Sequence, residues 1–181
     1  MRKSLTFAFG FMSVACATCF GQGYVAFSNS GVTTDAPVFY DQFDVPLGKE
    51  GLSVGDAFRA GLQYQIGAGP LTWAAVATAF GGAEGTLAGG YFDGGTLIIP
   101  GYVSGPVSFI VVAFNGADYE SSLIRGASTL FTLPSISTSS ETPTEFGPAL
   151  GAFTVSIVPE PSALAFAALG LAALMAARRR A

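Results

Sequence analysis

Two uncharged apolar stretches, one at each end of the chain and each bounded by basic residues, constrain the 181-residue sequence more than any other feature. The first runs from Leu5 to Phe20 and follows Arg2 and Lys3. The second runs from Ser162 to Ala177 and is followed by Arg178, Arg179 and Arg180. Stretches of this kind are handled by membranes; they are poor candidates for the water-facing part of a globule. Between them lie about 135 residues, enough to bury a core of their own.

At the N-terminus the order is basic, then strongly apolar (Leu5 to Met12), then small: Ala15, Cys16, Ala17, Thr18, Cys19 and Gly21. That is the order of a secretory signal peptide, with positive charge orienting insertion and small side chains admitting signal peptidase. Small residues at Cys19 and Gly21 predict cleavage between Gly21 and Gln22. A cut after Ala17 competes with it. Val14-Ala15-Cys16 is partly lipobox-like, but Ser13 stands where a larger aliphatic residue is usual. Both cysteines of the chain, Cys16 and Cys19, lie in this segment. Its removal leaves a body without a thiol, a disulfide or a Cys-ligated metal.

At the C-terminus Val158-Pro159-Glu160-Pro161 comes first. The prolines end any preceding strand and bar helical backbone at the residue before each of them. The Ala- and Leu-rich stretch 162–177 predicts a transmembrane helix. Its length of about 24 Å falls somewhat short of a hydrocarbon core of about 30 Å. Snorkelling arginines make up part of the difference. The cluster Arg178-Arg179-Arg180 favours a cytoplasmic C-terminus, so the body lies outside the inner membrane.

The three ordered parts, Val158-Pro159-Glu160-Pro161, the apolar stretch and the Arg cluster, resemble the PEP-CTERM sorting tail. The resemblance implies recognition by an exosortase, a membrane transpeptidase-like enzyme, with the Pro-Glu-Pro motif marking the processing region. It further implies a Gram-negative bacterium that makes exopolysaccharide. It covers residues 158–181 alone and says little about the middle, because the same tail occurs on unrelated bodies. The body openings Gln22-Gly23-Tyr24-Val25-Ala26-Phe27-Ser28-Asn29-Ser30 and Phe58-Arg59-Ala60-Gly61-Leu62-Gln63-Tyr64 resemble uncharacterised PEP-CTERM proteins of Verrucomicrobia-like bacteria, which bring no activity with them. The organisation expected is a signal peptide 1–21, a body 22–157 and a sorting tail 158–181.

The body reads as β. Residues 24–28 form a strand that ends at the turn cluster Asn29-Ser30-Gly31. From 57 to 66, Phe58, Ala60, Leu62, Tyr64 and Ile66 alternate with Arg59, Gly61, Gln63 and Gln65, the period of a half-buried strand. Residues 71–80 are continuously apolar after Gly69-Pro70 and suit a central strand, with helix as the rival because of four alanines. Further strands are expected at 96–99, 129–133 and 149–158. Residues 107–114, β-branched and apolar on both faces, predict a strand buried on both sides. Ser135 to Thr144 and the Gly-rich segments near 81 and 89 read as loops. About eight short strands between Gly, Pro and Asp turns predict a single β-sandwich, jelly-roll or Ig-like, flanked by the signal helix and the transmembrane helix.

Charge and chemistry narrow the function. Hydrophobic residues are 50% of the chain and charged ones 11%. Within the body only Lys49, Arg59 and Arg125 are basic, against eleven acids, which speaks against nucleic acid as a partner. The chain has no His, so imidazole acid–base chemistry and His metal sites are excluded. Asp41, Asp44, Glu50 and Asp56 offer oxygen ligands for Ca²⁺ without EF-hand spacing; solvated loop acids are the simpler reading. Asp93-Gly94-Gly95 and Asp118-Tyr119-Glu120 read as acidic turns. Nothing selects a catalytic carboxylate pair. Trp73, with Tyr64, Tyr91, Tyr102 and Tyr119, offers material for a sugar-stacking platform, but its apolar run places it in the core by preference. The expectation is a non-enzymatic exported protein of the cell surface or extracellular matrix, without catalytic residue, metal or cofactor. Its alternatives are an exopolysaccharide-binding module and a Ca²⁺-stabilised adhesin.

Overall fold

A computed structural model of the chain describes residues 21–158, together with Arg178. The expected signal segment before Gly21, the helix 162–177 and most of the Arg cluster lie outside the described residues. Among those described, no helix is long and apolar enough to cross a membrane.

The body is all-β. Its strands are β1 (Gln22–Ser28), β2 (Val38–Tyr40), β3 (Arg59–Ile66), β4 (Thr72–Gly81), β5 (Tyr91–Pro100), β6 (Val107–Phe114), β7 (Ile124–Ala127), β8 (Phe131–Leu133) and β9 (Phe153–Ile157). A short 3₁₀ turn, Gly147–Ala149, precedes β9. Hydrogen bonding links the strands into one path, β1-β5-β4-β3-β6-β7-β9-β2, with β8 also on β6. Every pair is antiparallel except β2 with β9, which is parallel. The path curls into a half-barrel. At its far end Val38 of β2 donates to the carbonyl of Gly90, just before β5 (2.9 Å), so the last strand returns towards the first.

The curl is set by the buried faces. Val25 and Phe27 of β1, Leu97 and Ile99 of β5, and Val107, Phe109 and Val111 of β6 point into one core. A chain of rings crosses it. Phe80 meets Phe92 (5.3 Å), Phe92 meets Phe27 (4.8 Å), and Phe146 contacts Phe27, Phe109 and Phe131 at 6.5, 5.4 and 5.3 Å. Edge-to-face and tilted pairs each add about 0.5–1.5 kcal/mol beyond burial. Phe146 comes from the loop before the 3₁₀ turn, and it plugs the mouth of the curl.

β6 is buried on both faces only over Val111–Phe114; its first half alternates. Both halves have edge partners, β8 along 107–109 or β7 along 112–114 on one side and β3 on the other; the second half is also covered on its outer face, where Tyr119 packs on Phe114. For 72–81 the strand wins over the helix, because β3 and β5 each supply a hydrogen-bonding edge. Two strands have no sequence signal. β2 is three residues long after Pro37, and β7 is four residues with Gly126 inside, and both exist through pairing with the distant β9.

Asp93-Gly94-Gly95 is not a turn, as its composition suggested, but a bulge within β5. Gly94 leaves room for a ring: a Cβ there would lie 2.5 Å from Cδ1 of Phe27. Gly95 takes φ +70°, which a side chain disfavours. Likewise Ser135–Thr144 is more than a surface loop. It hydrogen-bonds along the outer edge of β1, from Tyr24 N to Ser137 O (2.7 Å) and from Ala26 N to Thr144 O (2.9 Å). A terminal strand with a free edge invites pairing with other chains, and this segment covers it.

Candidate functional sites: the tail root and an aromatic cleft

The expected junction Gly21–Gln22 lies at the start of the described residues. Gln22 opens β1, opposite Pro100 of β5, and the Gly21 carbonyl accepts from Gly101 N (2.9 Å). The other junction lies at the end of the continuous described stretch. β9 is gripped between β7 and β2, Ile157 N donates to Asp44 O (2.6 Å), and Val158 N donates to Leu123 O (2.9 Å). Of the motif Val158-Pro159-Glu160-Pro161, only Val158 is among the described residues. Arg178 is exposed; Arg179 and Arg180 lie outside.

The acidic candidates do not converge. Among the described residues no three His, Cys, Asp or Glu side chains are placed to hold a metal ion. Asp41 caps its own loop, accepting from Gln42 N (2.6 Å) and Phe43 N (3.2 Å), and accepts from Thr154 Oγ1 (3.1 Å). Sequence reasoning missed the role of Glu84. It pairs with Lys49 and accepts from the Tyr40 hydroxyl (2.9 Å), tying two loops together. The hydrogen bond from Lys49, helped by Tyr40, holds the Glu84 carboxyl below its ordinary range. Burial, then Glu84, pushes the Tyr40 phenol upwards. No residue spacing announced this, because the partners are 35 and 44 positions apart.

The structure corrects the placement of Trp73. It is not in the core but 45% exposed on the outer face of β4. Leaving half of such a ring in water forgoes roughly 2–3 kcal/mol of burial. Alternation explains its position: Trp73 is an odd number of positions from the buried Phe80, so it takes the opposite face, where it opposes Gln63 of β3. The ring then lies over Gly61, where a Cβ would come within 3.3 Å of Trp73 Cζ3.

Beside it stands Tyr119, ring centroids 6.0 Å apart and planes at 55°. Phe114 packs edge-on behind Tyr119 at 6.2 Å. Arg125 lies 5.2 Å from the Tyr119 centroid and bonds the Tyr119 carbonyl (2.7 Å) and that of Glu120. Burial raises the pKa of the Tyr119 phenol. Beside this ring pair is a cleft of about 350 Å³, which the two rings line together with Gly61, Ala74, Ala77, Ala117, Asp118 and Glu120. The Asp118 carboxylate accepts from Ser121 N and Oγ (2.9 and 2.7 Å), which holds it below the usual range.

The other tyrosines are elsewhere. Tyr102 is buried, donating to Gly105 O (3.2 Å) and accepting from Ile136 N (3.0 Å). The Tyr91 hydroxyl donates to Asp35 (2.8 Å). Tyr64 is half-buried on β3. Of the five aromatic residues considered for a platform, only Trp73 and Tyr119 come together.

The last residue of the continuous described stretch, Val158, stands immediately before Pro159-Glu160-Pro161. Comparison with known families bears on this segment: residues 158–180 match the PEP-CTERM protein-sorting motif. The match indicates an exported, membrane-transiting protein sorted by exosortase. No curated protein and no solved structure matches the chain. The resemblance of the body openings to Verrucomicrobia-like proteins therefore finds no support.

Proposed function

We propose that this chain is a non-enzymatic surface protein, delivered to the cell envelope or extracellular matrix as a folded β module between two membrane-read ends. Signal peptidase removes residues 1–21, stretch 162–177 spans the inner membrane during sorting, and Arg178-Arg179-Arg180 stop transfer. The observation that carries this reading is the sorting-motif match beginning at Val158, the residue at which β9 makes its last backbone bond. The absence of His from the chain, and of Cys after residue 19, supports a binding or structural role over catalysis. On this reading the curled sheet works as a single β-sandwich-like module, its facing walls joined through Phe146.

The test is replacement of Pro159-Glu160-Pro161 by alanines in the native host. Export is expected to continue, with the unprocessed chain accumulating in the inner membrane. Unchanged mass and location after that replacement would refute processing at this motif.

A further inference from the structure

We propose that the cleft lined by Trp73 and Tyr119 is a binding site for a neutral saccharide. It stands independently of how the protein is sorted. Two aromatic rings in contact, tilted at 55°, line the cleft, and the half-exposed Trp73 offers a ring surface that can take the C–H face of a sugar. The other ring is fixed before any ligand arrives: Arg125 covers the Tyr119 ring and bonds its carbonyl, and Phe114 backs it. A ring already in place loses little freedom on binding. Glycine and alanines also line the cleft, and about 350 Å³ is at the small end of ligand pockets, room for a ring or two of a longer chain.

The acidic lining selects the ligand. Asp118 and Glu120 line the cleft; beside the bonds of Asp118 to Ser121 and the 3.7 Å ion pair of Glu120 with Arg125, their carboxylates keep lone pairs that can accept from hydroxyl donors. The same two charges, on a body with three basic residues against eleven acidic ones, repel phosphates, sulfates and uronates. A small organic cation would meet Arg125, which already lies against the Tyr119 ring. A ring with an apolar face, hydroxyl edges and no charge satisfies both the aromatic and the acidic lining.

Trp73 is the only tryptophan of the chain, so its fluorescence reports on this cleft alone. The processed protein is titrated with neutral oligosaccharides of glucose, galactose and mannose, with oligogalacturonate and choline as charged comparisons. The expected result is a saturable shift in Trp73 emission with at least one neutral series and none with the charged probes. Tyr119→Ala, which keeps the reporter, is expected to weaken binding about tenfold. Gly61→Ala, which crowds the Trp73 ring, gives a second variant should Tyr119→Ala fold poorly, and it too is expected to weaken binding. No saturable response to any neutral series, a stronger response to a charged probe, or a response that both variants retain in full would overturn the proposal.

Discussion

Val158 donates its backbone N–H to the carbonyl of Leu123 at 2.9 Å, so hydrogen bonding of the body reaches the first residue of the sorting motif. The body thus leaves no slack before Pro159. Together with Ile157 N on Asp44 O, this bond clasps the end of β9 from both sides.

A chain stopped after Val158 should therefore melt within about 2 °C of the same chain carrying its tail, since no bond of β9 is lost. Stopping after Gly151 removes β9 altogether, and with it the ladder partner of β2 and one of the two partners of β7. That truncation should abolish cooperative unfolding, as thermal melts followed by circular dichroism would show.

Asn29 is fully buried, and its amide serves three backbone groups: it donates to Ala36 O (2.9 Å) and Gly90 O (2.8 Å) and accepts from Phe92 N (2.7 Å). Asn29→Ala removes all three bonds, and of these groups Gly90 O keeps its bond from Val38 N. A loss of about 2–4 kcal/mol is expected, measurable by urea unfolding. A loss below 0.5 kcal/mol would mean that β1 and β5 are not held together through this side chain.

Trp73 and Phe146 should respond unequally to truncation. Phe146 is 1% exposed and touches three other rings. Phe146→Ala should cost about 3–5 kcal/mol. Trp73→Ala, which loses only the buried half of the ring, should cost about 2 kcal/mol. Equal costs would put Trp73 back in the core.

Acid should release the Glu84 link. A carboxyl whose folded pKa is depressed contributes stability that is fully present above its unfolded value, usually 4.5, and lost as pH falls through the folded value. Half-exposed pairs of this kind contribute roughly 0.5–1 kcal/mol. Between pH 6 and pH 3, Glu84→Gln should therefore lose less stability than the parent chain. An identical pH profile in both would show that Glu84 does not hold the two loops.

The strands with strong patterns were legible: β1, β3 and β6 stand where alternation and β-branching placed them, because each carries its own buried face. β2 and β7 were not, since three or four residues hold no period and their reason to exist is β9, far along the chain. Trp73 misled because its apolar run satisfies a strand whichever face it turns inwards. What decides is which residue of β4 anchors the core: Phe80 is buried, and Trp73, an odd number of positions away, takes the opposite face. The bulge at Gly94 looked like a turn because glycine serves both, and what distinguishes them is the Phe27 ring lying against it. The C-terminal tail was the most legible part, since order of charge and apolarity along the chain is all a sorting signal needs.

One folded body between two disposable ends is a statement about mass. Intact-mass spectrometry of the protein from cytoplasm, inner membrane, outer envelope and medium reads both cuts at once. The mature form should begin at Gln22, lack the apolar stretch and Arg cluster, and be found outside the cytoplasm. A single soluble cytoplasmic species at the full 18.5 kDa would contradict it.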